Sequence, residues 1–232
     1  FALELVMARD ARGAPEGRLM LVCPQDAVDA MAGILRGCYP DSRLMAAPPL
    51  PPVERVVRLK KRFPFVQPLA CPEQYDRSVA DVVFNQMTNG GEPAIVQYVL
   101  TPAPGVFDLW ARRRYKARER RNARAHAVNP RHPGLHSELL SSELEMGLSI
   151  QHHALFFAEV RVAARTLRCA RAIAGAIRGS SVEVNRLVER VTRPWGRGPL
   201  YRKRLLAAVG NPIPGWRRGV LSSAEMAGLW HL

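Results

Sequence analysis

The chain predicts an α+β fold: ferredoxin-like strand–helix–strand units, repeated, that form small open sheets with helices on one face. Three observations predict it. Short apolar runs with period-two alternation recur along the chain, the mark of half-buried strands. Between them lie segments whose apolar residues fall at spacings of 3, 4 and 7, the mark of helices with one buried face. Glycine, proline and Asn-Gly breaks separate the two kinds of segment. With 47% hydrophobic and 23% charged residues over 232 positions, the composition is that of a globular chain able to bury a core, which excludes disordered and fibrous classes. Apolar stretches such as 154–158 and, broken only by Gln97, 96–100 fall far short of the about 20 residues that cross a bilayer.

The first unit, 1–50, opens with strand-like Ala2 to Met7 and Arg18 to Cys23 around a Gly- and Pro-containing loop, Asp10 to Gly17, expected to be loose. A helix follows, with Asp26 as its expected cap, Val28, Met31, Ala32 and Leu35 as its buried face and Gly37 at its end. A short strand is expected at Ser42 to Ala46. Pro48, Pro49, Pro51 and Pro52 then favour extended linker geometry and mark a boundary.

The second unit, 51–105, starts with the alternating strand Val53 to Leu59. Its helix carries Val79, Val82, Val83 and Met87 on one stripe and stops at Asn89-Gly90-Gly91. Pro93 to Thr101, with Ala94-Ile-Val-Gln-Tyr-Val-Leu100, is an interior strand. Phe107 and Trp110 are expected to anchor a helix in the linker 106–136, basic on almost every face beyond its first turns.

The third unit, 137–192, offers a short helix at Glu138 to Leu148 and a strand at Leu155 to Ala163. A helix capped by Thr166 follows, with Ala170, Ile173, Ala174 and Ile177 inward, then a strand or extended segment at Val182 to Val191. The tail, 193–232, ends in Ala224 to Leu232, a short apolar helix capped by Ser222 or Ser223. It is expected to lack a partner of its own, and the chain to be a piece of a longer protein.

The net charge of +14 is concentrated. Residues 106–136 carry nine basic and two acidic groups, and residues 193–232 carry seven and one, while the three units are nearly neutral. Arg112, Arg113, Arg114, Lys116, Arg118, Arg120, Arg121 and Arg124 are the candidate contact residues for nucleic acid or another anionic partner. A helix this basic attracts phosphates, anionic lipid or an acidic protein surface. The plain alternative is a solvated linker helix. Few aromatic residues are interleaved for base stacking, and Tyr115 alone is a poor platform. The independent nucleic-acid reading has the helix Ala111 to Ala125 and the tail Arg193 to Arg218 clamping a phosphate backbone. Thirty of the 34 basic residues are arginine, suited to bidentate phosphate or carboxylate contacts.

Catalytic motifs do not emerge. A phosphate loop needs glycines followed by Lys and a hydroxyl residue, and Gly196-Arg197-Gly198-Pro199 lacks that ending and reads as a turn. No Gly-x-Ser-x-Gly elbow or His-Glu-x-x-His pair occurs. His126, His132 and His136 share a segment interrupted by Pro130 and Pro133 and read as solvated loop histidines, and His152 and His153 as structural ones. Glu138, Glu143, Glu145 and Glu159 read as ordinary exposed positions. Cys23, Cys38, Cys71 and Cys169 lie far apart without metal or redox spacing and are expected to be reduced, mostly buried thiols, as in a reducing compartment.

The order of parts has a resemblance. Ala94-Ile-Val-Gln-Tyr-Val-Leu100 with Pro102, the arginine-rich helix, Glu159-Val-Arg-Val162, Asn185-Arg-Leu-Val188 and the closing Gly219-Val-Leu-Ser-Ser-Ala-Glu-Met-Ala-Gly-Leu-Trp-His-Leu232 resemble the region preceding the motor domain in conjugative DNA-transfer ATPases of type IV secretion systems. The terminal element is its most specific part. The resemblance implies a non-catalytic accessory and assembly module with no cofactor of its own. ATP and Mg would belong to a motor domain downstream of Leu-Trp-His-Leu. Implied partners are that motor and secretion-system subunits, with homo-oligomers forming through the ATPase and with DNA and the membrane surface also open. The implied location is cytoplasmic, at the inner face of the cell membrane.

Overall fold

The structure, a computed structural model, describes residues 1–41, 43–62, 69, 78–128, 153–179, 185–190, 203, 206–210 and 219–230; for 119 and 122–128 it describes the backbone only. The fold is α+β. Strands β1 (Ala2–Arg9) and β2 (Pro15–Val22) form a hairpin whose loop is shorter and tighter than expected. The Asp10 carboxylate accepts from the Arg12 and Ala14 amides, both at 2.8 Å, and Gly13 takes the φ of 81° that closes the turn.

Helix α1 (Val28–Cys38) follows a 3₁₀ turn at Gln25–Ala27, and Asp26 makes no capping hydrogen bond. Met31, Ala32 and Leu35 are half-covered, Val28 and Ile34 are exposed, and no residue of the helix is fully buried. The expected buried face therefore fails. The reason lies in the sheet: α1 leaves from β2, the outermost strand, and lies beyond the layer that the other helices build. Residues 43–50 carry no strand in place of the one expected at Ser42 to Ala46.

Strands β3 (Arg55–Lys61), β4 (Ala94–Pro102), β5 (Leu155–Ala164), β6 (Leu187–Glu189) and β7 (Gly219–Ser222) complete a seven-stranded antiparallel open sheet in the order β2-β1-β4-β5-β3-β6. β5 has β4 along one side. Along the other, β3 pairs with Leu59's partner Val160 up to Ala164, and β7 pairs with Leu155 to Ala158. Strands from stretches expected to form separate small sheets thus join a single one. The physical reason is that each strand–helix–strand unit leaves a gap. β3 and β4, linked through helix α2 (Val79–Gly90), bracket β5, while β5 and β6, linked through helix α4 (Leu167–Gly179), bracket β3. Interleaving satisfies backbone donors and acceptors on both sides of the apolar strands, which isolated units would leave open.

One sheet face is covered by α2, α4 and the closing helix α5 (Ser223–Trp230). Ser78 caps α2 by accepting from the Asp81 amide at 3.2 Å, and Gly91 ends it at φ 65°. Thr166 caps α4 as expected, its hydroxyl accepting from the Cys169 amide at 3.2 Å. Ala170, Ile173, Ala174 and Ile177 of α4 pack with Val83 and Met87 of α2 on Val96, Tyr98, Val160 and Val162 of the sheet. At about 25 cal/mol per Å² of apolar surface, each large side chain here contributes about 1.5–3 kcal/mol. The expectation that 224–232 lacks a partner is overturned. Met226 and Leu229 are buried in this same core, and the Trp230 ring meets Tyr98 edge to face at 5.6 Å.

The opposite face is closed by a smaller cluster in which Val209 of the helical stretch 206–210, together with Leu50 and Val53, covers Val6, Ile95 and Ala163. The segments 129–152, 191–202 and 211–218 hold the expected Glu138 to Leu148 helix, the Gly196 to Pro199 turn and most of the basic tail, and lie outside the described residues, as do Cys71, His132, His136 and His152.

Candidate functional site

Helix α3 (Gly105–Val128) carries the candidate contact residues over 24 residues, about 36 Å at 1.5 Å per residue. It docks by Phe107, Ala111 and Tyr115, one residue per turn, which pack with Leu155 and Val220 where β7 meets β5. The Phe107 ring lies 4.9 Å from that of Phe157. Trp110, expected as an anchor, is 44% exposed, because it is a quarter-turn away from this stripe. Tyr115 is buried, its phenol pKa raised first by burial and further by the Glu225 charge.

The structure places seven of the eight cationic side chains and brings them together along this helix. Arg113, Arg114, Lys116, Arg120 and Arg121 are exposed; Arg112 and Arg118 are half-buried; the Arg124 side chain lies outside the described residues. Arg112 donates to the Asp108 carboxylate at 2.7 Å, one turn back. The Arg114 guanidinium lies over the Trp110 ring, 5.1 Å from its centroid. Among the described residues no carboxylate pairs with Arg113, Lys116, Arg120 or Arg121. At 100° per residue, Val106, Leu109, Arg113, Lys116 and Arg120 share the line facing away from the body. The first two are 82% and 64% exposed. This helix therefore presents unneutralised cations behind an exposed apolar tip.

A second constellation was not anticipated. Glu4, Gln97, Arg161 and Arg58 stand in register on β1, β4, β5 and β3, forming a row across the sheet face opposite α2 and α4. Glu159, expected to be exposed, is 4% exposed and pairs with both Arg58 and Arg161. It lies in β5, on the strand expected there. What makes the alternate face interior is the cover supplied by 206–210. Gln97 donates to Glu4 Oε1 at 2.7 Å and to the Val209 carbonyl at 2.8 Å, and Arg161 donates to the Ala208 carbonyl at 2.6 Å. Burial raises the Glu4 pKa, opposed by the Gln97 hydrogen bond and the Arg161 charge. The row latches the 206–210 stretch to the sheet. A signal existed for Glu4, Gln97, Glu159 and Arg161, each one of two polar letters inside an apolar strand; Arg58, one of four basic residues in β3, carried none.

A third buried group fixes the chain's closing corner. Ser222 and Glu225 form a reciprocal cap, the hydroxyl accepting from the Glu225 amide at 3.2 Å and the carboxylate from the Ser222 amide at 2.7 Å. The same carboxylate accepts from the Leu69 amide at 2.7 Å and pairs with the buried Lys61 ammonium. Burial lowers the Lys61 pKa and the carboxylate opposes it. His153 Nδ1 lies 3.2 Å from the Ser223 hydroxyl, a structural contact.

Of the three described thiols, Cys169 is buried, Cys23 half-buried and Cys38 exposed, so the expectation of mostly buried cysteines fails at the poorly covered α1. Among the described residues no group of three or more His, Cys, Asp and Glu is placed to hold a metal, and no helix is long and apolar enough to cross a membrane. Comparisons with protein-family models, with curated proteins and with solved structures find no match.

Proposed function

We propose that this chain is a non-catalytic accessory domain of a DNA-transfer ATPase of the type IV secretion kind, joined to its motor beyond Leu232. One observation carries the reading. The element with the most specific resemblance, Leu221-Ser-Ser-Ala-Glu through Leu229-Trp, is built into this body by β7, the Ser222–Glu225 cap and the Lys61 pair. A rigid corner of that kind supports an adaptor, because it would deliver the following chain at a fixed place. The interleaved order β4-β5-β3-β6, with its two split crossovers, supports a ferredoxin-like reading for that part of the sheet. ATP and Mg would act in the motor, and secretion-system subunits would be the neighbours. The independent nucleic-acid module is the lesser reading, since Tyr115, the ring amid the cations, is turned into the core. Calorimetric titration of the chain with Mg-ATP is expected to show no binding, and the reading frame past Leu232 to contain a phosphate-loop motif. Micromolar ATP affinity, or a frame without that motif, contradicts the proposal.

A further inference from the structure

We propose that the outward face of α3 binds anionic lipid surfaces, lying on the headgroups with its apolar first turns inserted. The inference goes beyond the motor reading and does not rest on it. Charge complementarity selects an anionic occupant: Arg113, Lys116, Arg120 and Arg121 are exposed and pair with no carboxylate among the described residues. The apolar tip narrows the choice. Val106 and Leu109 stand on the same outward line as Arg113, Lys116 and Arg120, with Trp110 beside them. Aliphatic side chains gain nothing from a phosphate ridge, whereas at a bilayer they enter the acyl boundary while the cations stay with the headgroups, and tryptophan favours that interface. The docked stripe Phe107, Ala111 and Tyr115 holds the opposite side of the helix to the body, so the outward face is presented without unfolding anything.

Flotation of the whole chain with phosphatidylcholine vesicles, with and without phosphatidylserine, tests the proposal. Binding is expected only with phosphatidylserine and should fall as salt rises. Each charge reversal among Arg113→Glu, Lys116→Glu and Arg120→Glu should weaken partitioning about fivefold or more. The pair Val106→Ser and Leu109→Ser, which leaves the charge unchanged, should weaken it severalfold as well. All five positions are exposed, and an unchanged thermal midpoint verifies that each variant is folded. Equal binding to both vesicle types, no vesicle binding beside tight binding of duplex DNA, or lipid binding indifferent to the two serine substitutions would each overturn it.

Discussion

Single residues show how the same polar letter acquires different work from its surroundings. Glu4 has its pKa raised by burial, so its proton is held more tightly in the folded state than in the unfolded chain. The stability this contributes is present below the unfolded value, near 4.5, and is lost as pH rises through the raised folded value. Glu4→Gln should therefore stabilise the protein at pH 7 and change little at pH 4, as urea denaturation at the two pH values would show. Lys61→Met leaves the buried Glu225 carboxylate without its ammonium and should cost about 3–5 kcal/mol in the same assay. The thiols differ in the same way. The Cys169 pKa is pushed up to about 12, by burial and then by Glu92, while Cys38 is exposed. Timed alkylation at neutral pH should modify Cys38 at once and reach Cys169 only when the protein unfolds.

Elements differ in how much of themselves they give to the core. α4 and α5 are committed to it, α3 only along one stripe, and α1 hardly at all. Leu229→Ala in the short α5 should thus cost about 2–5 kcal/mol, as a large-to-small change in a packed core does. Arg120→Ser in the longer α3 should stay within about 0.5 kcal/mol, since Arg120 is exposed and pairs with no carboxylate among the described residues. Chemical denaturation of the two variants checks the contrast; equal effects would mean that α5 is not the tie that its packing indicates.

At the scale of the whole molecule, the interleaving of strands makes the stretches of the chain interdependent. β5, near the middle of the sheet, pairs with β3 and β4 of the second unit and with β7 of the tail, two stretches other than its own. Expressed alone, residues 1–105 would leave β3 and β4 with the strand between them missing, and circular dichroism should show no cooperative melt. In the whole chain, far-ultraviolet dichroism and tryptophan fluorescence should report coincident transitions.

The chain's letters alone determined the fold class, most strand and helix positions, the Thr166 cap, the interior character of β4 and the concentration of cations on one helix, because these follow from periodicity and local chemistry. Tertiary structure decided the rest. Which strand fills the gap between β3 and β4, whether Glu159 faces water, and whether Ala224 onward has a partner depend on residues from dozens to well over a hundred positions away. Local periodicity shows that a strand has two faces, but only packing decides whether both are covered, and here the stretch at 206–210 turned the second face into an interior.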